Sequence, residues 1–300
     1  MAGILSRRAR LRSDASAPHA YNRPMLYLLA ALTLVAADGS PVKIVNNIPY
    51  ITGAHYPSDH DKLDLYLPEG KTGVPVIVWI HGGALTQDDK NLEVGTGKRF
   101  AQAGIATATV NYRLSPAVSH PAHVEDAAAS FAWVKRYIAE YGGDPDRVFL
   151  VGHSAGAYLA HLLVTDERYL KKHGLSARDV RGVVPISAFF WVEKEGVAPD
   201  RPKSVWGTDE KVWVDASPAH HLRANLPPTL IIYADRDEPW RRQQNVDMAQ
   251  ALKAAGSPPV DLVQIADRTH MGIWRAMAAD GDPTSNRVIA FVIATDSGRR

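Results

Sequence analysis

The chain has 300 residues, 46% of them hydrophobic, with 34 basic and 32 acidic side chains and a formal net charge of +2. That is apolar material for one large α/β domain or two small ones, and the balanced charge, with no basic stripe or basic–aromatic interleaving, argues against a nucleic-acid partner. Cysteine is absent, which excludes disulfides, thiolate metal sites and a cysteine nucleophile.

The first feature along the chain is an uncharged apolar run at residues 26–37, preceded by Arg7, Arg8, Arg10, Arg12 and Arg23 and closed by Val35-Ala36-Ala37. This is the layout of a secretory signal peptide, and twelve apolar residues are too few to span a bilayer. Residues 1–37 are therefore expected to be a leader, with translation from Met1 or Met25, and the mature protein to be exported without a stable membrane span. A packed N-terminal helix is the plainer alternative. Ser6-Arg7-Arg8 lies too far from the apolar run to make a strong twin-arginine signal.

Residues 38–300 read as one domain. From residue 45 onward, short β-like runs alternate with longer amphipathic segments, the pattern of a wound α/β sheet. Leu63–Leu67 alternates with period two and ends at Pro68, as an edge strand would. Residues 74–80 form a nearly continuous apolar run, expected of a strand buried on both faces, and 105–110 another. Helical spacing over 124–141 stops at Gly142-Gly143. Further strands are expected at 148–151, 180–186, 229–233 and, last, 260–265. Between Ser187 and Pro228 the rhythm breaks into an aromatic-rich, cap-like excursion holding Phe189, Phe190, Trp191, Trp206 and Trp213. Those rings either line a pocket or fasten the excursion to the body.

The strongest chemical signal is Gly152-His153-Ser154-Ala155-Gly156, between the strand at 148–151 and a helix-like segment. A strand entering Gly-x-Ser-x-Gly and leaving as a helix makes a nucleophile elbow, with glycines where a β-carbon would clash. A serine hydroxyl needs a base, usually a histidine oriented by a carboxylate. Elbows of this kind go with the chain order serine, acid, histidine. Seven of the twelve histidines precede Ser154, and His161, His173, His220 and His221 precede any good acid. His270, in the loop after the last strand, remains as the base. The acid follows the strand at 229–233, where Asp237 is favoured over Asp235, with Glu238 behind. Asp235 leaves the strand directly and is expected to brace the turn through its own backbone, whereas Asp237 can bend back toward the imidazole. Oxyanion donors are expected from Ala155 and from the loop Ile80-His81-Gly82-Gly83-Ala84, with His81 a structural hydrogen-bonding residue.

His81-Gly82-Gly83, the elbow, Asp235-Arg236-Asp237 and Arg268-Thr269-His270 together resemble the α/β-hydrolase carboxylesterases of the hormone-sensitive-lipase-like and feruloyl-esterase-like (BD-FAE-type) families. The segment Tyr141-Gly142-Gly143-Asp144-Pro145-Asp146-Arg147 is similar too, and the likeness runs from about residue 55 to 295. It implies an α/β-hydrolase fold, with a mostly parallel central sheet, helices on both faces and a short cap over 187–228. It further implies serine carboxylic-ester hydrolysis of short-chain or aryl esters through an acyl-enzyme, with no cofactor. By the same resemblance the oxyanion donors fall on Gly83, Ala84 and Ala155, Gly82 shapes the turn, and the acid falls on Asp237.

Two departures bear on the substrate. Ala84 stands where the lipase-like families usually carry a third glycine, and Leu85 where formylkynurenine formamidases usually have an aromatic residue. Amide or formamide hydrolysis by the same machinery is the alternative. A non-catalytic receptor, like the gibberellin receptors on this fold, would be expected to lack a triad member, and this chain has a candidate for each. The pairs His120/His123 and His220/His221 lack the partner ligands of a metal site. Glu125 and Asp126 are expected to complement a helix dipole, and no phosphate-loop or dinucleotide fingerprint occurs.

Overall fold

A computed structural model of the chain describes residues 41–51, 56, 59–193, 201–257 and 259–297. The chain divides into two units, Met1–Thr33 and Leu34–Arg300, and every described residue belongs to the second. The expected leader and signal peptide at residues 1–37 lie outside the described residues. Among those, no helix is long and apolar enough to cross a membrane.

The strands are β1 (Val42–Pro49), β2 (Lys62–Pro68), β3 (Val74–Ile80), β4 (Ala106–Val110), β5 (Gly143–His153), β6 (Gly182–Ile186), β7 (Thr229–Arg236) and β8 (Val260–Thr269). Among the described residues they form one sheet in the order β1-β2-β4-β3-β5-β6-β7-β8. β2 runs antiparallel to β1 and β4, and every later pairing is parallel. The helices are α1 (Val94–Gln102), α2 (Ala122–Tyr137), α3 (Ala155–Thr165), α4 (Glu167–Lys171), α5 (Arg201–Val205), α6 (Glu210–Asp215), α7 (Pro239–Ala254), α8 (His270–Arg275) and α9 (Pro283–Ser297).

Strand alternation explains the layering. In β3, Val76, Val78 and Ile80 join one core cluster with Phe131 of α2 and Leu162 of α3, while Ile77 and Trp79 join another with Phe100 of α1 and Val288 of α9. With both faces covered, neither register of the strand meets water, so the run is apolar throughout.

Several expectations need correcting. β2 is an interior strand, paired on both sides, and the edge is β1, which has too few buried residues to stand out in the sequence. The helix expected over 124–141 begins at Ala122 and ends at Tyr137, tightening into a 3₁₀ turn (Ile138–Tyr141) before Gly142 at φ +90°. β8 continues to Thr269, so His270 opens α8 rather than sitting in a loop; Thr269 caps that helix by accepting from the Gly272 N–H.

In the excursion, Phe189, Phe190 and Trp206 are buried. Phe189 stacks on Tyr158 of α3 at 4.5 Å, and the Trp206 indole donates to the Tyr158 hydroxyl at 3.2 Å. These rings fasten the segment to the body. Glu125 lies in the first turn of α2, where a helix dipole favours a carboxylate, and also pairs with Lys172; Asp126, one residue further on, accepts from the backbone and the guanidinium of Arg113.

Candidate active site

β5 delivers the chain to Ser154, which sits at φ +54°, ψ −115°, before α3 begins at Ala155. A non-glycine residue there stores about 1–3 kcal/mol of backbone strain and persists only where its surroundings fix it. The Ser154 N–H donates to the Ile186 carbonyl at 2.9 Å, which holds the turn against β6. A β-carbon on Gly156 would lie 2.0 Å from the Ile80 oxygen, and one on Gly152 would lie 2.6 Å from the Gly156 carbonyl carbon. Backbone passes so closely here that only glycine fits.

The Ser154 hydroxyl lies 2.9 Å from His270 Nε2, and His270 Nδ1 lies 2.8 Å from Asp237 Oδ1. The sequence-predicted serine, acid and histidine are thus in one hydrogen-bonded line. An ionised carboxylate only accepts, so Nδ1 carries the proton and Nε2 is free to receive one. Asp237 is buried, and its Oδ2 accepts from the Ser187 hydroxyl at 2.6 Å and the Ala234 N–H at 3.0 Å. Burial alone would raise this carboxyl, but hydrogen bonds from His270 and Ser187 and the nearby charges of His270 and Arg241 hold it below the ordinary range. Buried Arg241 donates to the Ser187 carbonyl at 3.1 Å and to Glu238 at 3.1 Å.

Asp235 does not face the imidazole. Its two oxygens accept from the N–H groups of Asp267 and Arg268, each at 2.9 Å. The brace therefore spans from β7 to β8 and does not close on its own backbone, as the sequence suggested. It fixes β8 two residues before His270.

The loop after β3 carries Gly83, Ala84 and Leu85 at φ +86°, +59° and +65°. A β-carbon on Gly83 would lie 2.1 Å from the Gln87 oxygen, so this position needs glycine for both space and conformation. Gly82 packs against the elbow, 3.3 Å from the His153 carbonyl to where its β-carbon would stand. Tyr112, buried two residues past β4, places its hydroxyl 3.0 and 2.8 Å from the carbonyls of His81 and Gly82 and stacks on the His81 ring at 4.3 Å. Burial lowers the His81 pKa to about 4, so its ring is neutral near pH 7. The N–H groups of Gly83 and Ala84 have no acceptor among the described residues, and Ala155 begins a helix whose first N–H groups lack intrahelical partners.

Sequence reasoning missed Ser187, Arg241, Tyr112 and His153. Ser187 follows β6 as Asp237 follows β7, and adjacency of those two parallel strands is the signal that could have found it. His153 Nε2 donates to the His270 carbonyl at 2.8 Å; burial, reinforced by His270, lowers its pKa to about 3. The four histidines weighed as metal ligands are engaged elsewhere: His120 with Tyr169, His123 with Ser115, His220 with Glu193 and His221 with the Asp215 carbonyl. A cavity of about 1080 Å³ lies against α2 and α4, between Tyr50, Arg113, Trp133 and Tyr169; Ser154, Asp237 and His270 do not line it.

Sheet order and elbow define an α/β-hydrolase. Residues 63–252 match the family model described as BD-FAE, and the chain belongs to that family. It is similar to a probable isoprenylcysteine alpha-carbonyl methylesterase, ICMEL1, of Arabidopsis thaliana, with 37% identity over 258 residues covering 79% of this chain and 54% of that protein. It is also similar to esterase LipQ of Mycobacterium tuberculosis, with 26% identity over 254 residues covering 75% and 60%. The chain thus spans about half the length of the curated relatives it matches. Among solved structures, a truncated carbohydrate esterase from gut microbiota superposes with a TM-score of 0.74 at 19% identity, covering 87% of this chain and 99% of that one, a likeness of fold.

Proposed function

We propose that the protein is a serine carboxylic-ester hydrolase that works through an acyl-enzyme, on short-chain or aryl esters. The observation that carries this reading is the hydrogen-bonded line Ser154–His270–Asp237 in a member of the BD-FAE family. Ser154 attacks the ester carbonyl while His270 Nε2 takes its proton, and Asp237 stabilises the imidazolium. Backbone N–H groups of Ala155, Ala84 and Gly83 receive the oxyanion, with Gly82 shaping their loop. His270 then protonates the leaving alcohol and afterwards activates the water that releases the acid. Relatives that bear the names of esterases and methylesterases favour esters over formamides as substrates.

Turnover of a p-nitrophenyl ester and of an N-formyl arylamine, with phosphonate labelling, tests the proposal. The ester should be the better substrate, and labelling should fall on Ser154. Ser154→Ala should abolish labelling and lower kcat by roughly 10⁴-fold or more with the fold intact. Near-normal turnover in that variant would refute the assignment.

A further inference from the structure

Glu93 is the N-cap residue of α1, is 1% exposed, and has no cationic partner among the described residues. A buried carboxyl without a counter-charge is costly unless its oxygens are hydrogen-bonded, and burial raises its pKa to about 7. Both oxygens take the indole N–H of Trp274, each at 3.0 Å. Trp274 lies on α8, the helix that His270 opens. Its ring stacks on His153 with a centroid separation of 6.1 Å and an interplanar angle of 12°, and His153 Nε2 donates to the His270 carbonyl at 2.8 Å. An unbroken line of contacts therefore runs from the start of α1 to the backbone of His270, entering from outside the Ser154–His270–Asp237 line.

We infer that Glu93 is a positioning residue for His270, acting through Trp274 and His153; the inference rests on the esterase reading above. α8 has six residues, too few to hold its own place, so its position depends on tertiary anchors. Asp235 anchors the strand that enters it, and Glu93 anchors the far end through Trp274. A reacting nitrogen displaced by about 1 Å loses roughly 100-fold in rate, so the anchor acts on turnover more than on substrate affinity. A carboxylic acid and a carboxylate both present an oxygen to the indole N–H, as does a carboxamide.

The test compares kcat and KM for p-nitrophenyl butyrate in the full chain and in the variants Glu93→Leu, Glu93→Gln and Trp274→Phe, with thermal melts alongside. Glu93→Leu and Trp274→Phe should lower kcat about 10-fold with KM within about twofold. Glu93→Gln, which keeps the acceptor oxygen, should recover kcat to within about threefold of the parent. If Glu93→Leu does not fold, the other two variants decide. Unchanged kcat in Trp274→Phe, or a Glu93→Gln variant as slow as Trp274→Phe, overturns the inference. A parent chain that turns over no ester refutes the esterase reading instead.

Discussion

Replacing Asp237 with asparagine separates the roles of the two aspartates at the carboxyl end of β7, Asp235 within the strand and Asp237 just beyond it. Oδ2 of Asp237 receives the Ala234 N–H and the Ser187 hydroxyl, while Oδ1 receives His270 Nδ1. An amide has one acceptor and one donor end. The backbone N–H of Ala234 can only donate, so the amide oxygen must take the Oδ2 place and the NH₂ must face His270. Nδ1 then becomes the acceptor, the ring proton moves to Nε2, and the hydroxyl of Ser154 meets a nitrogen that is already protonated. The expected loss in kcat is roughly 10⁴-fold, equivalent to about 5 kcal/mol of barrier, with little change in KM. Asp235→Asn sets an NH₂ against a backbone N–H of Asp267 or Arg268 and loosens the tie between β7 and β8. It should lower the thermal midpoint and keep kcat within about tenfold of the parent. Steady-state turnover of an aryl ester and a thermal melt on both variants decide the matter. An Asp237→Asn enzyme within tenfold of the parent would refute the tautomer argument, and a larger kinetic loss at Asp235 would reverse the acid assignment.

Two further outcomes follow from the buried rings and the strained loop. His81, His123, His153 and His161 are buried with pKa values lowered by burial to about 4, 3, 3 and 3. Folded values below the unfolded value of about 6.5 mean that the unfolded chain binds protons first, so stability is complete above that pH and lost as pH falls toward 4. Four such rings give roughly 5 kcal/mol per pH unit, against a total of about 5–15 kcal/mol for a typical domain. Circular dichroism should show the melting temperature falling from about pH 6; a constant midpoint down to pH 4.5 would refute this accounting. Ala84 at φ +59° occupies a left-handed conformation that costs an L-residue about 1–2 kcal/mol. Ala84→Gly should therefore stabilise the protein by about 1 kcal/mol, and an unchanged or lower melting temperature would count against strain at that position.

What could be read from the sequence was local. The elbow announces itself because strand, tight turn and helix lie within about a dozen consecutive residues, and the two glycines are demanded by backbone contacts within the same motif and with the loop after β3. Chain order then selected His270 from twelve histidines. Contacts between distant residues that follow no chain-order rule were not read. Asp235 braces residues more than thirty positions away, Ser187 reaches Asp237 across neighbouring strands, and Trp274 reaches Glu93 across 181 residues. β1 was invisible for another reason: it lies at the sheet edge with most side chains in solvent, so it carries no apolar period.

The parallel half of the sheet has a consequence for how such a protein can change. Ser154, Ser187, Asp237 and His270, with the loop from His81 to Leu85, all leave the carboxyl ends of β3, β5, β6, β7 and β8, which are consecutive neighbours. The proposed catalytic residues and the oxyanion loop therefore emerge along one rim, and the turns that feed Val74, Gly143, Gly182, Thr229 and Val260 occupy the opposite rim. Loops on the first rim can be lengthened or exchanged to reshape what is admitted, with the sheet left as it is. The second rim is the side from which the protein can be tethered to a surface with Ser154 and its proposed partners left on the far side of the sheet.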